Sequence, residues 1–515
     1  MRKSKRRIAL WIALGLCALL AAIWLACTLF SAPALVPNAP KPALLAAAEG
    51  LDDIVIEAVF NPDAGSLSVW QRLVLVNRGA DARDSAVLRT WPNAFQSAET
   101  SPCATDEFYS RCYPNGFSFG ALVISEAQAL LAPAQKAPDG HAAQGAPIGY
   151  RYLDAAKTAL LLPLNASWLP GETLTLTLRY TVYVPKAAYR FGVNSDIWAL
   201  GNAFAIPAVY ENGAYRTDAY APVGDPFLSD CANYTVSITA PEGYQIAGSG
   251  EPVAEHGQGV VTYRFSLLAA RDFAFTLSER YHAAQAMEGD VLVSAYAQAA
   301  SAAKEALGYA RKALRTFEKL YGAYPYPSLT VSEIDFPLGG MEYPAHVMIA
   351  SSQLAAGGRV LEYVVAHEVA HQWWYAMVGS DPINQAWQDE ALCEFSLLRY
   401  TEAVHGRAER DELEATRVES AMRVTVPRGI TPGAPLDFFS SMSEYALVVY
   451  NRGAAALCAL DRAMPSGLDG FLRRYAERFA FSRATRADFE ALLAEYTGED
   501  YAPLLTDYLD TEIRN

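Results

Sequence analysis

His367-Glu368-Val369-Ala370-His371, followed 19 residues after its second histidine by Glu390 in Trp387-Gln388-Asp389-Glu390-Ala391-Leu392-Cys393-Glu394, is the stretch of this 515-residue sequence that decides its fold and chemistry. The first five residues lie in an apolar run that opens after Gly357-Gly358. The spacing predicts a helix whose two histidines, four apart, leave one face about one turn from each other. Two imidazoles so placed can grip one zinc ion. Glu368 points into the same cleft, where a carboxylate can take a proton from an attacking water. A histidine on an apolar helix is more often a hydrogen-bonded core residue, but this pattern in a chain with seven histidines makes that reading weak.

Catalytic zinc needs a third protein ligand and an open fourth position. Glu390 stands in a stretch of helical character, and Gly379-Ser380-Asp381-Pro382 supply the break that lets a second helix fold back beside the first. His367, His371 and Glu390 then face one point. Asp381, Asp389 and Glu394 are the alternative acids nearby, read as outer partners or solvated groups.

Outward from this motif, Leu307, Ala310, Leu314, Phe317 and Tyr321 share one helical face that stops at Gly322, so a mainly helical half starts near Ala299. Before it the period changes to two. Leu174, Leu176, Leu178, Tyr180, Val182 and Val184 alternate with Thr173, Thr175, Thr177 and Arg179, and similar runs occur at 54–60, 67–76, 234–240 and 261–267. These predict a β-sandwich-like domain over residues 51–285, with the catalytic domain over 286–515. Glu342 follows a strand-like stretch at 329–334 and precedes another at 345–350, which puts it at a sheet edge bordering the cleft. A carboxylate there can pair with a peptide's terminal ammonium.

Residues 1–30 carry five basic residues and no acid, and residues 8–30 hold no charged side chain, enough apolar length for a transmembrane helix. The expectation is a single-pass anchor with the basic tail cytoplasmic and the body outside the cytosol; a secreted form after signal-peptide cleavage is the alternative. Residues 31–50, rich in Pro and Ala, read as a linker. The formal charge is −15, and the part after residue 30 holds 36 basic against 56 acidic residues. Such a body is unsuited to nucleic acid, which requires clustered cations. Cys103 and Cys112 are spaced for a bridged loop in an oxidising compartment, and Cys231, Cys393 and Cys458 read as buried thiols. Oligomeric state is not legible.

The zinc pattern, Gly339-Gly340-Met341-Glu342-Tyr343 upstream and Tyr450-Asn451-Arg452-Gly453 downstream together resemble the gluzincin aminopeptidases typified by aminopeptidase N and leukotriene hydrolase. Gly224-Asp225-Pro226 and the Thr485-Arg486-Ala487-Asp488-Phe489 segment extend the likeness over roughly residues 50–510. The resemblance implies an α+β multidomain chain ending in a thermolysin-like, mainly helical zinc-peptidase domain. It implies one Zn²⁺ held by His367, His371 and Glu390, with Glu368 as base and Tyr450 stabilising the oxyanion. Glu342, with Gly340 and Met341, would bind the free N-terminus of a peptide substrate. Arg452 is expected to support a helix start. Tyr343 stands where the family has Asn, and residues 51–285 show no counterpart of the Gln or Glu that supplements amine binding. An endopeptidase or an epoxide-type hydrolase on the same metal therefore stays open, as does a non-catalytic tethered module. The chain stops soon after the catalytic half, from which an open cleft admitting larger substrates is expected.

Overall fold

Leu174, Leu176, Leu178, Tyr180 and Val182 are all buried, while the residues between them keep partial access to solvent. This alternation lays strand Thr173–Tyr183 across one core with one face inward. Its neighbour Ser66–Val76 runs antiparallel, pairing Leu176 with Leu73 and Leu178 with Gln71. The buried Gln71 is satisfied: it donates to Ala205 O at 2.7 Å and accepts from Tyr180 at 2.7 Å. These are the central strands of an eight-stranded sheet. Its order is Val253–His256, Val260–Ala270, Ala232–Pro241, Asp52–Asn61, Ser66–Val76, Thr173–Tyr183, Ala121–Ala132 and Ala146–Pro147. All neighbours are antiparallel except Asp52–Asn61 and Ala232–Pro241, which are parallel. Two four-stranded sheets and a two-stranded ribbon, Tyr210–Glu211 with Ala214–Tyr215, complete this β-rich part.

The computed structural model describes residues 35–103, 108–132, 145–427 and 429–512. The expected anchor at 8–30 lies outside them. Among the described residues no helix is long and apolar enough to cross a membrane. The described residues from Pro37 onward cluster as one compact unit.

The catalytic half begins with a five-stranded sheet ordered His282–Glu288, Val291–Ala297, Ser328–Ile334, His346–Ala350 and Gly340–Met341. The first strand runs across residue 285, where sequence reading put the boundary. Helix Ala300–Tyr321 connects two parallel strands of this sheet and buries Leu307, Ala310, Leu314, Phe317 and Tyr321. Gly322, at φ +103°, ends it, a conformation that a side chain would disfavour. Helices Gly358–Ala370 and Trp387–His405 follow and pack on each other. Arg271 ties the two halves: its guanidinium donates to Tyr375 O at 2.6 Å, Ser229 O at 3.0 Å and Ser482 O at 2.6 Å.

Two expectations need correction. Residues 31–50 are not all spacer: Pro42–Ala48 is a helix, with Pro at its start and Leu44 buried in the core, and Lys41 donates to Tyr324 O at 2.8 Å. Cys103 and Cys112 are buried thiols interacting with each other, not a bridge. Arg452 stands, as expected, at a helix start, directly before Gly453–Ala463. It lies buried at the end of the π-helical turn Ala446–Arg452 and donates to the carbonyls of Ala421 and Val424, capping a neighbouring segment.

Candidate active site

The helix Gly358–Ala370 ends one residue before His371, so His367 lies in its last turn and His371 just past it. The break at Gly379–Pro382 turns the chain back, and helix Trp387–His405 brings Glu390 in from its first turn. The three donor atoms form a nearly equilateral triangle. His371 Nε2 is 3.2 Å from His367 Nε2, and Glu390 Oε2 is 3.3 Å from each. A tetrahedral zinc ion with bonds of about 2.0–2.1 Å separates its ligands by about 3.3–3.4 Å, so this triangle is one face of such a site. The fourth corner opens onto a cavity of about 320 Å³.

Outer partners fix the ring orientations. Asp389 Oδ1 lies 2.6 Å from His371 Nδ1, with Trp374 O at 3.1 Å, which makes Nδ1 the protonated nitrogen and turns the Nε2 lone pair to the centre. Glu394 stands 3.8 Å from His367 Nδ1 and is ion-paired with Arg417. The third alternative acid, Asp381, is elsewhere: it pairs with Arg216 at 2.9 Å and caps its own loop at Asn384.

Charge in the cluster calls for a cation. Glu342, Glu368, Asp389, Glu390 and Glu394 are all buried, and the cations nearest them are Arg417 and Arg190, the latter already paired with Asp225. Burial pushes the Glu368 carboxyl up to about 7, against the pull of His367 and His371. Glu342 is pushed well above the usual carboxyl range, by burial first and then by Asp225. A positive guest reverses both effects.

Glu342 leaves the edge strand Gly340–Met341 and enters the cavity without a hydrogen bond or ion pair among the described residues. Gly340 passes so close to the base that a Cβ there would sit 2.6 Å from Glu368 Oε1. Met341 also lines the cavity. Tyr343 turns the other way. Its hydroxyl donates to Asn202 at 2.7 Å inside the core, so the departure from Asn changes packing between the halves rather than the cavity wall. Tyr450 stacks on His367 at 5.5 Å between centroids and donates to Glu390 Oε1 at 2.6 Å. Burial raises its hydroxyl well above the ordinary value, so it remains a donor.

Sequence reasoning missed several wall residues. Phe108, Arg190 and Asp225 come from the β-rich half, and Arg417 and Met442 from beyond the second zinc-motif helix. Asp225 alone had a signal, in the Gly224-Asp225-Pro226 stretch. The others are brought in by packing across large sequence separations.

Comparison with known proteins gives this geometry a family. Residues 305–508 match the Peptidase family M1 domain. Aminopeptidase B of Mus musculus is 25% identical over 319 residues, covering 57% of this chain and 46% of that protein. Leukotriene A-4 hydrolase of Xenopus laevis is 28% identical over 198 residues, covering 36% of this chain and 32% of that protein. The chain thus spans less than half the length of these curated relatives. An M1 zinc metallopeptidase from Deinococcus radiodurans has the same fold, with TM-score 0.63 at 16% identity over 90% of this chain and 95% of that one. Native yeast leukotriene A-4 hydrolase superposes with TM-score 0.61 at 15% identity, over 89% and 67% respectively. Residues 305–508 thus carry the match to the peptidase family M1 domain. The chain is homologous to aminopeptidase B and leukotriene A-4 hydrolase, and its donor triangle fits the single zinc ion that the family implies.

Proposed function

We propose that this chain is a zinc aminopeptidase that removes N-terminal residues from peptides, tethered to a membrane through residues 8–30 with its body on the extracytoplasmic side. The observation that carries the reading is Glu342. This buried carboxylate has no partner among the described residues, and one of its oxygens lies within 4.8 Å of a Glu368 oxygen and a His371 nitrogen. A free ammonium is the guest that satisfies it, and holding one there sets the first peptide bond over the metal site.

In this reading His367, His371 and Glu390 hold the zinc, which when bound supplies a Lewis acid that polarises the carbonyl and acidifies water. Glu368 takes the proton of the attacking water and delivers it to the leaving nitrogen. The Tyr450 hydroxyl exchanges its bond to Glu390 for one to the developing oxyanion, a contact that gains strength only as charge appears. Asp389 keeps the His371 proton on Nδ1 throughout.

A panel of aminoacyl substrates with free and acetylated N-termini tests the reading. Acetylated substrates should be poor for the wild type. Glu342→Gln should lower kcat/KM on free ones by about 30- to 1000-fold, equivalent to about 2–4 kcal/mol for an ammonium left unpaired in a partly dry cleft. It should also narrow the gap between free and blocked substrates while zinc stays in place. Equal cleavage of blocked and free substrates by the wild type would favour an endopeptidase. The tether is tested separately: the full-length protein should stay with membranes through carbonate extraction, and recovery of a soluble chain starting near Leu35 would refute it.

A further inference from the structure

Another cavity, of about 240 Å³, lies in the β-rich half and shares no lining residue with the catalytic one. Five charged residues line it: Asp52, Arg78, Arg83, Asp230 and Arg271. Both acids are already engaged. Asp52 takes Arg78 at 2.7 Å, and Asp230 takes Arg483 at 2.8 Å. The buried Arg271 gives its bonds to three backbone carbonyls, so its charge meets no carboxylate among the described residues. Arg83 has neither a carboxylate nor a carbonyl partner among them; it approaches the Tyr215 hydroxyl, and its Nε is shut off from solvent without a hydrogen bond. Aromatic rings hold it instead. Its Cζ lies 3.9 Å from the Tyr210 centroid and 5.1 Å from that of Trp168, and Tyr210 packs edge to face on Tyr215 at 4.9 Å. The Tyr215 hydroxyl donates to Ser85 O at 2.8 Å and Trp168 Nε1 to Glu172 O at 2.9 Å, so the rings are fixed before any guest arrives. Stacking occupies the faces of a guanidinium and leaves its N–H edges to offer.

We propose that this cavity binds a small carboxylate with an apolar or aromatic body, its charged end taken by Arg83. Two guanidinium charges without a matching acid call for an anion. The free edge of Arg83 offers parallel donors in the geometry of a carboxylate. Leu75, Val87 and Ile206 line the same space and give the rest of the guest an apolar wall. An inorganic anion would use the charge and leave that wall wet. Size sets a second limit: at about 30 Å³ per molecule of liquid water the cavity equals about eight waters, room for a guest of about ten heavy atoms. Arg78 and Asp230, with side chains 47% and 63% exposed, mark the mouth through which it enters. The site stands apart from the zinc chemistry, so the inference does not depend on the aminopeptidase reading.

The test titrates the full-length protein with phenylacetate, phenylacetamide and inorganic phosphate, following binding by ligand-detected NMR. Carboxylates also bind catalytic zinc, so each titration is repeated after the metal has been chelated. The wild type is expected to bind phenylacetate about 10- to 100-fold more tightly than the amide, with or without zinc, and phosphate at least about tenfold more weakly than phenylacetate. Arg83→Gln should bring the acid-to-amide ratio close to one while peptidase activity stays within about twofold of wild type, since Arg83 lies outside the catalytic cavity. Should that variant fail to fold, Arg83→Lys decides in its place: it keeps the charge and loses the planar fork, and the ratio should fall at least about threefold. Equal binding of acid and amide by the wild type, or phosphate bound as tightly as phenylacetate, would overturn the inference. So would an acid preference that survives both substitutions and disappears with the zinc, which would place the carboxylate on the metal.

Discussion

Glu368→Gln is expected to keep about one zinc per chain and to lose about 10²- to 10⁴-fold in kcat, the range that a positioned general base contributes. The substitution is nearly isosteric, so it preserves the contact with Gly340, where space is limiting. It also leaves the donor triangle untouched, since Glu368 makes no bond to His367, His371 or Glu390. What the amide lacks is a lone pair basic enough to take the water proton. In the wild type the carboxylate is buried against the cavity and keeps that lone pair. Metal analysis and steady-state kinetics on the same preparation decide the matter. Activity within about tenfold of wild type, with zinc retained, would remove Glu368 from the role of base.

The parts legible in the sequence were those whose chemistry repeats locally. The face of helix Ala300–Tyr321 followed from a 3.6 period and its end from Gly322. The long strands of the eight-stranded sheet followed from alternation, because one face of each meets the core. Strand Val291–Ala297 is buried along its whole length, so its sequence has no alternation to read. The donor triangle was legible because two of its residues share one helix end and the third lies 19 residues on, across a visible break. Asp389 was available in the sequence only as a nearby acid. Its 2.6 Å contact with His371 depends on how the second helix is rotated against the first.

The remainder depended on packing at a distance. Tyr450 had a motif but not a conformation: a π-helical turn widens the ring of backbone bonds and carries the phenol onto His367. Nothing in the Tyr450-Asn451-Arg452-Gly453 pattern announces that turn. Arg417 sits in a second π-helical turn, Glu414–Glu419, and meets Glu394 from 23 positions away. Tyr343, a departure from the family pattern, gave no sign in the sequence that its side chain joins a buried chain of bonds through Asn202 to Asp272.

His371→Ala is expected to lose most of the zinc and with it the hydrolytic activity, because two protein ligands are too few for a catalytic site. The substitution also strips Asp389 of its partner. That carboxylate is 4% exposed, and once unpaired it adds a stability loss to the loss of metal. Two companions separate these effects. In His367→Ala the departing ring was 3.8 Å from Glu394, which keeps Arg417, so zinc should be lost with less damage to the fold. Asp389→Asn keeps all three ligands and removes only the acceptor that orients His371, which should weaken zinc by about 10- to 100-fold rather than abolish it. Zinc content by atomic absorption, affinity by competition with a chelator, and thermal unfolding of each apo protein give the order. Wild type should bind most tightly, then Asp389→Asn, with both alanine variants far below. Full zinc occupancy in His371→Ala would mean that Glu390 and His367 hold the ion with some other group, and the donor triangle would lose its assigned role.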